Sequence, residues 1–154
     1  MDQAGRVVLV EIVQRLEEQP YHWPVGRTTF QKIAYVATEE GLPTELHYQK
    51  GSYGPFSQEV KGLIARLINN GLIGAERLGR MLAVKVGPTF LDARTAYATY
   101  LKKWKPILEK TTDLFMQVNT NQAEVVATVL FAARDLRIRK HPDPSEREVL
   151  EQWG

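Results

Sequence analysis

The residues able to do chemistry are few and scattered. Three histidines, His22, His47 and His141, stand far apart in loop or strand contexts and show no metal-ligand spacing among themselves. Cysteine is absent, which removes thiolate zinc sites, a cysteine nucleophile and a disulfide framework. No serine sits in a G-x-S-x-G elbow, and the turn Gly51-Ser-Tyr-Gly-Pro55 lacks the Lys-Ser/Thr of a phosphate-cradling loop. Carboxylates pair only as sequence neighbours, Glu17-Glu18 and Glu39-Glu40, at expected helix ends where hydration accounts for them. The sequence therefore predicts no catalytic constellation and no cofactor, and the expectation is a protein that is not an enzyme.

Binding chemistry is better represented. In Lys50-Gly-Ser-Tyr-Gly-Pro-Phe-Ser57 two aromatics, Tyr53 and Phe56, flank a Gly-Pro turn. Both rings could plug a core beside the following helix. Rigid aromatics on a loop also make interface anchors, which makes Lys50, Tyr53 and Phe56 candidate partner contacts. Beyond them a helix ending in Asn-Asn-Gly runs into a basic segment, Gly74 to Val86, with the layout of a winged helix-turn-helix. There Arg66, Arg77, Arg80 and Lys85 are candidate nucleic-acid contacts, although the helix offers few bidentate readers of base edges. The alternative is a hairpin that only covers a core.

The elements that would carry these residues are mostly helical. Val8, Leu9, Ile12, Val13 and Leu16 recur at helical spacing up to Pro20. Thr28 and Gln31 have capping-box spacing, opening a helix with Phe30, Ile33, Ala34 and Ala37 on one face and an end near Gly41. Glu45 to Gln49 alternates as a short strand, and Ser57 can cap a helix whose stripe is Val60, Leu63, Ile64, Leu67 and Ile68. Leu72-Ile73 and Met81 to Val86 read as a hairpin. Helix returns from Pro88 through Trp104, is kinked or broken by Pro106, resumes over Ile107 to Val118, and restarts at Asn121. Ser145 and Glu148 introduce a short last helix with Val149, Leu150 and Trp153. The expected class is mainly α (α+β), a helical domain with a small β-hairpin and a winged-helix-like centre.

With 154 residues the chain fits one domain able to bury a core without staples. No apolar run reaches the ~18 residues of a membrane span, and the N-terminus lacks the layout of a signal peptide, so the expectation is a cytoplasmic protein with no membrane partner. A net charge of +2 hides a basic middle: residues 51–110 carry 10 Lys or Arg against 4 Asp or Glu, while 1–50 and 111–154 each carry 5 against 7. That permits nucleic-acid or acidic-partner contact through the middle.

The order Thr28-Thr-Phe-Gln-Lys-Ile-Ala-Tyr35, Gly41-Leu-Pro43, Tyr48, Lys50-Gly-Ser-Tyr-Gly-Pro-Phe-Ser57, Leu67 and Gly71-Leu-Ile73 resembles the C-terminal domain of DarG antitoxins, where a "QKL.YF" helix precedes a "YGPY" turn. It is more loosely similar to SocA-type, or Panacea, antitoxin domains. Glu124 to Leu130, Pro144 to Val149 and Trp153 are similar to the tail of the DarG domain. The resemblance implies that residues 1–154 form a single toxin-binding antitoxin domain with no macrodomain. Its implied partner is a DarT-like toxin, which ADP-ribosylates thymine bases of single-stranded DNA, and it would neutralise by binding rather than by hydrolysis. Two modes follow: occlusion of the toxin, or mimicry of DNA by Glu39, Glu40 and Glu45 near the motif and by Asp143, Glu146, Glu148 and Glu151. The rival from another class is a winged-helix DNA-binding autoregulator.

Overall fold

The computed structural model describes residues 1–20, 23–52 and 54–138. The expected terminal helix, its Ser145/Glu148 cap, the acidic residues 143–151, His22, His141 and Tyr53 lie outside the described residues.

Among the described residues twelve elements follow one another: α1 (Gln3–Glu17), β1 (Val25–Gly26), α2 (Arg27–Glu39), β2 (Gln49–Gly51), β3 (Gly54–Phe56), α3 (Gln58–Asn69), β4 (Ile73–Leu78), β5 (Met81–Val86), α4 (Phe90–Ala96), α5 (Ala98–Lys103), α6 (Lys105–Met116) and α7 (Thr120–Ile138). The fold is mainly α with a small antiparallel sheet, as the sequence predicts. That sheet has the order β1-β5-β4, with Val25 opposite Val84 and Ile73 opposite Val86. Helix, strand, two helices and a hairpin whose second strand pairs with the first strand make the winged-helix arrangement. What departs from a plain helix-turn-helix is the link between α2 and α3, which carries a second ribbon, β2 paired with β3.

The core forms around α1. Its Val7, Val8, Leu9, Val10, Ile12 and Val13 are all buried, more than the single expected stripe, because α4, α5, α6 and β5 cover the side that α2 leaves open. A helix that is apolar nearly all round belongs in the middle of a domain. On α1 the buried Glu11 is held by Arg94 at 2.8 Å and Arg15 at 3.3 Å, which pins α4 to the centre.

Several local expectations give way. No capping box forms at Thr28 and Gln31: α2 begins after Gly26, with no side-chain cap bond, because Gln31 is drawn to a partner 26 residues away. The strand expected over 45–49 is irregular up to Tyr48, with Glu45 at φ 60, and pairing starts only at Gln49. Ser57 is the cap residue of α3, yet its side chain makes no cap bond. The helix expected from Pro88 through Trp104 begins at Phe90 and is interrupted at Tyr97, with φ −106 and ψ 23, whereas the interruption expected at Pro106 is present, at Trp104 just before it. The cap of α7 is two residues earlier than Asn121: Asn119 and Gln122 exchange reciprocal bonds of 2.9 Å each, a capping box with an amide at both ends.

Candidate functional site

Where α2 starts, the β2–β3 ribbon and α3 enclose a groove of about 810 Å³. Its position follows from one clamp. The side-chain amide of Gln31 donates to the Ser57 carbonyl at 2.9 Å and accepts from the Ser57 N–H at 3.1 Å, which seals the ribbon's exit onto α2. Ser57 is fully buried, so its N–H needs the Gln31 partner, while its carbonyl also accepts the Val60 N–H at 3.2 Å. From that joint α3 departs with Lys61, Ile64, Ala65 and Ile68 on the groove side, the spacing of one helical stripe. Leu82 of β5 lines the groove as well, and Phe56, half-buried, lines it from the ribbon.

Ile68, expected within the core stripe of α3, is 40% exposed and belongs to the groove instead. The apolar lining thus joins Ile64, a core residue, to Ile68 and Leu82, which the core leaves uncovered.

The electrostatics are one-sided. Arg27, Lys32 and Lys61 line the groove, and among the described residues no carboxylate does. Lys32 is the unusual member. It is only 3% exposed, and burial lowers the pKa of its ammonium, an effect that Glu124 partly opposes. Among the described residues neither a hydrogen bond nor an ion pair within 4 Å holds it. Gly54, at φ 105, makes room for it: a Cβ there would stand 3.5 Å from the Lys32 Nζ and 3.0 Å from the Thr128 Oγ1. The first turn of α2, without a side-chain cap, adds the positive end of a helix dipole at the same place.

The structure brings Phe56 to this groove and distributes the other candidates elsewhere. Lys50 is exposed on β2, across from Pro55. Glu39 and Glu40 sit at the other end of α2, where Glu39 meets Arg134 at 2.7 Å and Glu40 meets Lys110 at 2.8 Å. Glu45 is exposed, 3.8 Å from the N-terminal ammonium. Arg66 on α3 and Arg77 and Arg80 on the hairpin are exposed, and Lys85 lies 3.5 Å from Glu76. His47 contacts Glu59 at the surface, with both its backbone N–H and its ring against the same carboxylate oxygen, which holds that carboxyl below its usual range. Among the described residues no three His, Asp or Glu side chains converge as a metal site would need.

Sequence reading missed Arg27, Gln31, Lys32 and Lys61 as groove residues. The motif contains Gln31 and Lys32, but nothing in its periodicity places them at a groove: both look solvent-facing beside Phe30 and Ile33 until α7 covers that side of α2.

No family model matches the chain. Over 133 residues, 85% of its length, it is 27% identical to a DNA ADP-ribosyl glycohydrolase of Thermus aquaticus, and it spans 36% of that relative. The chain is thus similar in sequence to a protein of the DarG kind, which supports that much of the resemblance read from the motifs. The same finding overturns the expectation of a non-enzymatic protein, since the relative bears the name of an enzyme. Absence of a motif was the wrong test.

Proposed function

We propose that this chain is the partner-binding domain of a DarG-like antitoxin and that it binds a DarT-like DNA-modifying toxin directly. The observation that carries the reading is the coincidence of motif and groove. The residues that carry the resemblance, Gln31 and Lys32 with Gly54, Phe56 and Ser57, are those that build the clamp and line the groove beside it. The sequence similarity over 133 residues supports it. Surface occlusion is the favoured mode over mimicry of DNA, because Glu39 and Glu40 already have cationic partners and exposed pairs of that kind leave little net field. Lys50, Tyr53, Phe56 and Glu45 remain the proposed contacts. Mixing the purified chain with a DarT-like toxin and measuring association by calorimetry tests the reading: a stable stoichiometric complex is expected, and no association at micromolar concentration would sink it.

A second reading rests on the strand order β1-β5-β4, which is that of winged-helix DNA readers. In those proteins the helix corresponding to α3 stands clear to enter the major groove. Here the β2–β3 ribbon walls one side of α3, and Lys61 and Ala65 face the groove so formed. Duplex binding through Arg66, Arg77 and Arg80 is therefore the lesser reading. A sequence-selective duplex complex that persists at about 150 mM salt, where exposed charge is screened, would promote it.

A further inference from the structure

We propose that the groove between α2, the β2–β3 ribbon and α3 receives an acidic, apolar-anchored segment of the partner protein, one carboxylate of which pairs with the Lys32 ammonium. The inference rests on the toxin-binding reading and names the chemistry of the partner segment.

Three observations lead there. The first is Lys32: a side chain nine-tenths buried or more, lining the groove, with no hydrogen bond or ion pair among the described residues. Burial strips this ammonium of most of its water, a cost that Glu124 offsets only in part and that an incoming anion would offset further. The second is the charge of the surroundings. Arg27 and Lys61 stand on the exposed rim and the uncapped first turn of α2 opens beside them, so the lining is cationic, with Glu124 acting on Lys32 from outside it. The third is the apolar lining of Ile64, Ile68 and Leu82, with Phe56 the single aromatic ring among the described lining residues. A nucleotide would call for more flat rings on which to stack. A peptide carrying one or two acidic side chains beside aliphatic ones suits the lining better, and 810 Å³ is enough for such an anchor to be enclosed.

The test uses the whole chain and the toxin. Arg27→Glu and Lys61→Glu reverse exposed charges and leave the core alone; Lys32→Met removes the buried ammonium. Each exposed reversal is expected to weaken toxin binding about tenfold or more, with the loss reduced at high salt, and Lys32→Met to weaken it while remaining folded by circular dichroism. Zero-length carbodiimide coupling of the complex, read by mass spectrometry, is expected to join Lys61 to an Asp or Glu of the toxin that has aliphatic neighbours. A tight complex unaffected by both exposed reversals, or with Lys61 uncoupled, overturns the groove as the docking site while toxin binding stands. If the wild-type chain forms no complex, both readings fall. Should a single-stranded oligonucleotide bind the wild-type chain and lose affinity in Lys61→Glu with toxin binding unchanged, the groove takes nucleic acid and the proposal is overturned.

Discussion

Gln31 grips Ser57 by both of its backbone groups, donating to the carbonyl at 2.9 Å and accepting from the N–H at 3.1 Å across 26 residues of sequence. The contact replaces a missing strand partner, since Ser57 is buried just past the end of β3 where no ladder continues. Replacing Gln31 by Ala strands the buried Ser57 N–H, while the Ser57 carbonyl keeps a bond from the Val60 N–H at 3.2 Å. A buried group of this kind costs about 1–3 kcal/mol when unpaired, so Gln31→Ala is expected to lose about 1–3 kcal/mol in urea unfolding. A loss below about 1 kcal/mol would mean that water substitutes for the amide and the clamp is not structural.

Much of the fold was legible because its signals are local. α3 and the hairpin announce themselves through a periodic stripe and through alternation, and Asn69-Asn70-Gly71 marks the stop between them. β1 was not legible: two residues pair with β5 across 59 positions, and only the finished sheet creates them. The same holds for the groove. Phe56 could be singled out as an aromatic on a turn, whereas Lys32 looks like an ordinary surface lysine of an amphipathic helix. Its burial depends on α7, whose Thr128 comes close to Gly54. Gln31 was misread in an instructive way, since capping-box spacing is a local pattern and a distant backbone outcompeted it.

The rings of Tyr35 and Tyr48 meet edge-on with centroids 4.9 Å apart, and burial raises the pKa of both hydroxyls well above the ordinary phenol value. In the unfolded chain both ionise near pH 10 while the folded chain keeps them neutral. The contribution is fully present below pH 10 and is lost as pH rises toward the folded values, at up to about 1.4 kcal/mol per pH unit for each ring. Ultraviolet difference titration is expected to show the two phenols unionised at pH 11 until the protein unfolds. Full ionisation at pH 11 with the fold intact would contradict this. Tyr35→Phe, which removes a hydroxyl without a hydrogen-bond partner among the described residues, is expected to hold or raise stability at neutral pH and to flatten the alkaline loss.

Glu11 offers a pair of opposite outcomes. Its carboxylate is 1% exposed and depends on Arg94 at 2.8 Å as well as Arg15. Arg94→Ala leaves a buried charge with one weaker partner and is expected to cost about 1.5–3 kcal/mol. Glu11→Met removes the charge and lets the partly exposed arginines hydrate, so it is expected to be neutral or stabilising. Thermal melts of the two variants distinguish this from a purely steric role, in which Glu11→Met would be the worse of the two.

Phe56 and Phe30 separate packing from binding. Phe30 is fully buried in α2, and Phe30→Ala is expected to cost about 3–5 kcal/mol of stability, as deletion of a core ring does. Phe56 is half-buried, with one side against the ribbon, where its Cβ would stand 2.8 Å from a Cβ built on Gly51, and the other side facing the groove. Its truncation forfeits roughly half as much packing, about 2 kcal/mol. If the groove receives the partner's anchor, Phe56→Ala also removes wall area at the centre of the contact. Toxin affinity should then fall by about 2 kcal/mol, near thirtyfold, measured at a temperature where the variant is fully folded. A ring that only covers the ribbon would show the stability loss with affinity unchanged, and that result would move the interface away from the ribbon side of the groove.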